Sequence, residues 1–222
     1  IVPMQGSFPH FFRIVLTVTL PLVLVLSNVR LVLLPWFPNF EYDRSGFPSD
    51  PFGFTTAERK LHAARVVDYL MTAADIELLA EQRFPDETPL YNVRELRHMQ
   101  DVKVVTRGVL WVWRLAIVLA LLAIVALGRQ SVTRPLLRIA LVTGAGIVVL
   151  ALVALVAYVL LNFNNFFTNF HRLFFESGSW MFSHSDTLIR LFPIRFWSDV
   201  ALLIGFGSVL EGLLLWWAAR FI

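Results

Sequence analysis

Four long apolar stretches constrain this chain more than any other feature of its sequence. Each is close to the roughly 20 residues that a helix needs to cross a hydrocarbon layer about 30 Å thick. They cover residues 11–34, 108–128, 139–163 and 200–221. A water-soluble fold could not cover so much apolar surface, because 57% of the 222 residues are hydrophobic and only 16% are charged. The sequence therefore predicts an all-α, polytopic bundle of four transmembrane helices.

The connections between these stretches predict their orientation. The short link over residues 129–138 carries three arginines and no acidic residue. Short basic loops stay in the cytoplasm, so both chain ends are expected there too. The outer segments 35–107 and 164–199 are then expected to form an extracytoplasmic cap of amphipathic helices and interfacial loops. We expect the whole chain to form one integral membrane domain.

Composition excludes several kinds of chemistry. The chain has no cysteine, so disulfides, thiolate nucleophiles and cysteine-based metal or haem sites are excluded. Its net charge is +3 with scattered basic residues, and we therefore expect no nucleic acid partner. Because the first residue is Ile1, we expect the chain to be trimmed at its start or to follow a removed segment.

The first outer segment carries a helical pattern. Thr55 and Glu58 have the T-x-x-E spacing of a capping box, and apolar residues recur after them at helical spacing. Three helices are predicted here, over residues 56–71, 73–82 and 91–104. The third is expected to run directly into the second span. The other outer segment is rich in phenylalanine and tryptophan, which is typical of chain lying in the headgroup layer.

Two histidines are expected to lie close together at the outer membrane surface. His98 precedes the second span and His171 follows the third. Helices joined by a short link pack as antiparallel neighbours, so their outer ends meet. Histidine accepts and donates protons near neutral pH, which makes the pair a candidate acid–base centre. Asp101, one helical turn after His98, is a candidate to orient its ring.

Other interpretations of these residues stay open. Each histidine is equally well a packed side chain of the interface. His98, Asp101, His171 and Glu176 offer metal ligands, but no tight H-x-x-x-H spacing is present and we predict no metal site. Four outer serines offer a nucleophile, but no G-x-S-x-G motif surrounds Ser177, Ser179, Ser183 or Ser185.

Charged residues in or near the spans need a partner or access to water. Arg30 and Arg114 lie near the outer ends, where they either snorkel and pair or bind a phosphate or carbonyl oxygen. Glu211 lies midway along the last span and is expected to face the bundle or to be protonated. The sequence suggests no role for it.

Several motifs resemble a bacterial membrane protein family. They are "YNVRELRHMQDVK", "FHRLFFESGSW" followed by "DTLIRLFPIRFW", and the upstream "FGFTTAERKLHAARVVDYL". Together with the four-span layout they resemble the lipoprotein intramolecular transacylase family, Lit, over nearly the whole chain. The resemblance implies that His98 and His171 are the two essential histidines, and it places the protein in the bacterial plasma membrane with its active site outside.

The resemblance also implies an activity. Lit-like enzymes move a fatty acyl chain of a diacylated lipoprotein from the glyceryl sn-2 ester to the α-amino group of the lipidated N-terminal cysteine. The product is the lyso-form, and no cofactor is needed. The partners implied are the diacylated lipoprotein and membrane lipids, and the oligomeric state stays open. The alternatives are another lipid-ester hydrolase or acyltransferase at the outer leaflet, and a lipid-binding scaffold without enzymatic activity.

Roles within this reaction are assigned by position. One histidine is expected to take the ammonium proton while the other, protonated, donates to the ester or leaving oxygen. Trp180 is expected to shape the acyl slot. The oxyanion or the peptide backbone is expected to be held by Arg94, Lys103 or Arg30. Asp101 and Glu176 complete the predicted supporting set.

Overall fold

The computed structural model describes residues 7–176 and 178–222, and their regular structure is helical. The α-helices within these ranges are α1 Ser7–Val32, α2 Trp36–Asp43, α3 Thr56–Met71, α4 Glu77–Ala80, α5 Val93–Gly128, α6 Arg134–Leu161, α7 Phe163–Phe174, α8 Thr187–Leu191 and α9 Ile194–Ala218. A 3₁₀ turn, Ala219–Phe221, follows α9. The predicted all-α fold is confirmed.

Four of these helices are long and apolar enough to cross a membrane, namely α1, α5, α6 and α9 with its 3₁₀ extension. Helix α5 has 36 residues, well beyond the roughly 20 that a span needs. Its charged residues precede Gly108 with the exception of Arg114. The spanning part of α5 is therefore residues 108–128, and the polar start runs into it without a break, as the sequence predicts.

The chain divides into two compact units. The first, here called the apolar unit, comprises the chain up to Val29, Val109–Leu160 and Leu202–Ile222. The second, here called the polar unit, comprises Arg30–Gly108 and Leu161–Ala201. The expectation that the whole chain forms one domain stays a prediction.

Close packing holds the apolar unit together. Its core consists of aliphatic and small side chains, including Leu16, Leu20, Ala123, Leu127, Ala140 and Val148. At Gly144 on α6, an added Cβ would lie 3.2 Å from both the Thr17 carbonyl oxygen and the Leu20 Cβ of α1. Small residues allow helices in lipid to approach this closely, and the resulting van der Waals contact drives their association.

One polar network lies inside the apolar unit. Asn28 on α1 donates through Nδ2 to Oε2 of Glu211 at 2.9 Å and to Oγ of Ser208 at 3.2 Å, both on α9. Glu211 therefore faces the helix bundle, as the high cost of an unpaired charge within a membrane requires. Arg114 stacks its guanidinium 5.3 Å from the centroid of the Trp111 ring.

In the polar unit, α3 has the predicted bounds and capping box. Thr55 Oγ1 accepts from the Glu58 amide at 3.2 Å, and Glu58 Oε2 accepts from the Thr55 amide at 2.8 Å. The helix predicted over 73–82 is wrong in length, because α4 covers Glu77–Ala80 alone. Thr72 Oγ1 accepts from the Ala74 amide at 3.2 Å, a local turn bond that competes with helix.

Candidate active site

The helix that carries His98 begins with a second capping box. Asn92 Oδ1 accepts from the Glu95 amide at 3.0 Å, and Glu95 Oε2 accepts from the Asn92 amide at 2.8 Å. This box fixes the start of α5 one turn before His98. Sequence reasoning missed it, although N-x-x-E is the same signal that identified the start of α3.

Glu95 also ties α5 to the segment after α7. Its Oε1 accepts from the Leu188 amide at 2.7 Å, at the start of α8. Next to this bond, the Thr187 hydroxyl donates to the Leu90 carbonyl oxygen. Glu95 is 1% exposed, and burial raises the pKa of its carboxyl group. One buried carboxylate thus connects the two sequence segments that surround the histidines.

Arg94 supports the site from its edge. Its guanidinium donates to Asp186 Oδ2 at 3.2 Å and lies 5.5 Å from the centroid of the Phe182 ring. The Phe182 ring in turn lies 5.3 Å from the His98 ring, nearly edge-on. Arg94 therefore positions an aromatic neighbour of His98, while its charge is already paired with Asp186.

Helix α7 brings His171 to the same place. Asn162 caps the helix, since its Oδ1 accepts from the Asn165 amide at 3.1 Å. Phenylalanines recur at helical spacing along α7, and Phe175 takes an extended conformation that ends the helix. His171 lies in the last turn and is 9% exposed.

The two histidine rings face each other. Their centroids are 6.2 Å apart and their planes are inclined by 23°. His98 is 8% exposed, so both rings are largely shielded from solvent. Among the described residues, five aromatic side chains pack against one or both rings, namely Phe167, Phe170, Phe175, Trp180 and Phe182. The predicted supporting residue Trp180 thus lies beside His171, at a centroid distance of 4.8 Å.

A backbone hydrogen bond sets the tautomer of His171. Its Nδ1 lies 2.7 Å from the Phe167 carbonyl oxygen. A carbonyl oxygen only accepts, so Nδ1 carries the proton and Nε2 of the neutral ring holds a free lone pair. His171 is therefore arranged as a base at Nε2.

Burial favours the neutral form of both rings near pH 7. Burial, and to a smaller extent the neighbouring His171, lowers the pKa of His98 to about 4. Burial also lowers the pKa of His171, and the bond to the Phe167 carbonyl opposes that shift. Two charged imidazoles this close in an apolar site would repel each other, so at most one is charged at a time.

Two polar atoms of the site have no partner. Among the described residues, Nδ1 of His98 and Nε1 of Trp180 are buried without a hydrogen bond. Asp101 is consequently not the partner of His98 Nδ1. Buried polar atoms are normally paired, and an unpaired one often marks a functional site.

The remaining predicted residues have other contacts or lie at the edge. Lys103 donates to the Ala74 carbonyl oxygen and holds its ammonium 3.9 Å from the Tyr69 ring centroid. Glu176 is exposed and lies 3.8 Å from the Arg97 guanidinium. The described residues offer Asp101 no hydrogen bond or ion pair, and Nη1 of Arg30 is buried without a partner there.

The metal and serine interpretations receive no support from the part of the chain that is described. Across residues 7–176 and 178–222, no three His, Asp or Glu side chains gather as metal ligands would. The Ser179 hydroxyl donates to the Glu176 carbonyl oxygen at 2.9 Å. Ser177 lies outside the described residues.

Comparison with known proteins identifies the family. The model of the lipoprotein intramolecular transacylase family, Lit, matches residues 14–197. A relative from Aquifex aeolicus (strain VF5), itself an uncharacterized protein, is 28% identical and covers 90% of this chain and 89% of its own. The membrane integral lipoprotein intramolecular transacylase Lit from Bacillus cereus shares the fold, with 20% identity, a TM-score of 0.79 and coverage of 98% of this chain and 96% of that chain.

Structures of that Bacillus cereus protein with one histidine replaced by arginine or alanine match at a TM-score of 0.71. The family match spans both histidine motifs, as the resemblance predicted. The four apolar helices agree with a membrane-integral protein. This chain therefore belongs to the lipoprotein intramolecular transacylase family and is a membrane-bound acyltransferase that moves an acyl chain within a lipoprotein.

Proposed function

We propose that the facing pair of His98 and His171 catalyses transfer of the sn-2 acyl chain of a diacylated lipoprotein to the α-amino group of its N-terminal cysteine. The observation that carries this proposal is the His171 ring, whose bonded Nδ1 leaves Nε2 free as a base inside an aromatic enclosure. The substrate already holds ester and amine on one molecule. The enzyme's task is to orient them and to move a proton.

The bonding changes balance without a cofactor. The amine nitrogen bonds to the acyl carbon, and the bond from that carbon to the glyceryl oxygen breaks. His171 Nε2 takes the proton that the amine loses and returns it to the glyceryl oxygen. Because an α-amino group has a pKa of about 7.7–8.0, a useful fraction is unprotonated near neutral pH.

His98 has a different part. Because burial lowers its pKa to about 4 and favours the neutral ring, we assign His98 as a neutral hydrogen bond donor. This replaces the protonated partner expected for one of the two histidines. A neutral imidazole still carries one N–H donor, and donors aimed at the developing oxyanion typically contribute 10²–10³ in rate. His98 donates this hydrogen bond to the acyl carbonyl oxygen.

The location of the site is part of the proposal. The basic link 129–138 favours a cytoplasmic position for that loop and for both chain ends. His98 and His171 then lie at the outer face, where the ester and the amine of a lipoprotein meet the headgroup layer. Fusion of a reporter enzyme to either chain end tests this orientation, and activity of both fusions outside the cell contradicts it.

Tandem mass spectrometry of the N-terminal lipopeptide tests the reaction. A diacylated lipoprotein is expressed with this protein in a host that lacks such an enzyme. The N-acyl, S-monoacylglyceryl form is expected with the unaltered chain and absent with His98→Ala and His171→Ala. His184→Ala is the matched control, because His184 is exposed, and it is expected to remain active. Full turnover by either alanine variant, or release of free fatty acid instead of transfer, contradicts the proposal.

A further inference from the structure

The indole of Trp180 carries a hydrogen bond donor that nothing in the described chain uses. Its Nε1 is buried without a partner. By contrast, Trp36 donates to the Leu31 carbonyl at 2.9 Å and Trp113 donates to the Ser27 hydroxyl at 3.0 Å. A buried indole N–H usually finds an acceptor, so the unused donor of Trp180 is available to an acceptor that the described chain does not supply.

The Trp180 ring lies in the histidine site. The Trp180 ring packs 4.8 Å from the His171 ring and 6.4 Å from the Phe167 ring, both measured between centroids. Phe167 also supplies the carbonyl that orients His171. The ring that carries the donor and the ring that carries the base therefore pack against each other, and both pack against Phe167 of α7.

The chemistry of an indole N–H narrows what it can bind. It donates and never accepts, and it carries no charge that changes with pH. An ammonium group or a second donor is therefore no partner for it. The matching group on an acyl ester is the carbonyl oxygen, which becomes an oxyanion when the amine attacks.

We infer that Trp180 Nε1–H donates a hydrogen bond to the acyl carbonyl oxygen and stabilises the oxyanion of the tetrahedral intermediate, as the second donor beside His98. This inference rests on the proposed function and makes Trp180 a catalytic residue rather than a wall of the acyl slot. The N–H is already desolvated and held in place, so little reorganisation accompanies the reaction.

Trp180→Phe removes the donor and keeps an aromatic ring against His171. We expect kcat to fall about 10²–10³-fold with KM nearly unchanged, because an oxyanion donor acts mainly in the transition state. Trp36→Phe is the matched control, since it loses an indole N–H whose acceptor is a backbone carbonyl, and its kcat is expected to be unchanged. A Trp180→Phe variant that keeps its kcat, or that changes KM alone, overturns the inference.

A measurement on bound substrate distinguishes a hydrogen-bonding role of Trp180 from a packing role. The probe is a diacylated lipopeptide with a ¹³C label at the sn-2 carbonyl and an acetylated amine, which binds without reacting. Its carbonyl stretch is expected at lower frequency in the unaltered protein and in Trp36→Phe than in Trp180→Phe. Equal frequencies in all three proteins overturn the inference.

If Trp180→Phe does not fold, the inference is tested with the unaltered protein labelled with ¹⁵N at its indole nitrogens. One indole N–H signal is expected to move downfield with the same lipopeptide and to persist in single Trp→Phe variants at the six other tryptophans. Absence of any moving signal overturns the inference. Failure of the proposed function itself is distinguishable, because it would appear as full turnover by His98→Ala or His171→Ala, or as release of free fatty acid by the unaltered protein.

Discussion

The apolar unit and the polar unit differ in whether their buried polar groups have hydrogen bond partners. In the apolar unit, Asn28, Ser208 and Glu211 satisfy one another across α1 and α9. In the polar unit lie all of the described residues that bury a side-chain polar atom without a partner, namely Arg30, Glu41, Arg59, Tyr91, His98 and Trp180. Lipid offers no replacement partner, so polar groups in a spanning unit are expected to pair. The unpaired atoms of the polar unit include two, on His98 and Trp180, to which we assign roles in the proposed reaction.

Glu95→Ala tests how far the polar unit depends on its paired carboxylate. The change leaves the buried Leu188 amide without an acceptor, which costs about 1–3 kcal/mol. It also removes the capping bond to the amide of the exposed residue Asn92, at about 0.5–2 kcal/mol. We expect unfolding free energy to fall by about 2–5 kcal/mol, with loss of transacylation, in an SDS unfolding titration. Glu58→Ala is the matched control, since it opens the exposed capping box of α3 and should cost about 0.5–2 kcal/mol. Equal losses of unfolding free energy in the two variants would show that Glu95 stabilises the fold no more than an exposed capping residue does.

The second prediction concerns pH and His98. Its folded pKa of about 4 lies below the ordinary value of 6.5, so the unfolded chain takes up a proton first as pH falls. This histidine therefore destabilises the fold between pH 6.5 and pH 4, by about 3 kcal/mol in all at 1.36 kcal/mol per pKa unit. His98→Phe should cancel that loss, and the difference in unfolding free energy between the two proteins should change by about this amount from pH 7 to pH 4. A constant difference would show that His98 is not held neutral by burial.

The third prediction addresses packing in the apolar unit. Gly144→Val places branched carbons against Thr17 and Leu20, and overpacking of this kind typically costs about 1–3 kcal/mol. Gly146→Val, two residues along the same helix, is the control because an added Cβ there meets nothing within 4 Å. Thermal unfolding in detergent should separate the two variants. Equal midpoints would mean that α1 and α6 do not depend on this close approach.

The smallest expected effect belongs to Glu211→Leu. It removes one hydrogen bond with Asn28, and hydrogen bonds between membrane helices average about 0.6 kcal/mol and reach about 1.7 kcal/mol. Glu211→Gln, which keeps an acceptor, should lie nearer to the unaltered protein. Transacylation is expected to continue in both variants. Loss of activity with normal unfolding would assign Glu211 a functional role that the packing does not suggest.

Part of this arrangement could be predicted from the chain alone. Apolar run length predicts the four long helices, and the order of spans predicts that His98 and His171 approach each other, because both depend on local periodicity and short links. The capping rule predicts the bounds of α3 and would have predicted the start of α5 from Asn92 and Glu95.

The remaining features depend on contacts between distant segments. Lys103 has a suitable charge for an oxyanion, yet its ammonium contacts the Tyr69 ring of α3 and the carbonyl of Ala74 in the turn after that helix. Both contacts join segments that are distant in sequence, and no local pattern predicts them. The tautomer of His171 and the free nitrogen of Trp180 depend on rotamers within an aromatic cluster. Sequence spacing predicts which residues meet, but not which of their atoms remain available.

The hydrogen bond from His171 to the Phe167 carbonyl has one further consequence. The acceptor belongs to the main chain, so any side chain at position 167 that keeps the helix also keeps the bond. The orientation of the His171 ring is therefore set by the backbone geometry of α7, and a point substitution at position 167 that keeps the helix does not change it. A search for variants that misalign His171 without removing it would have to target the path of the helix itself.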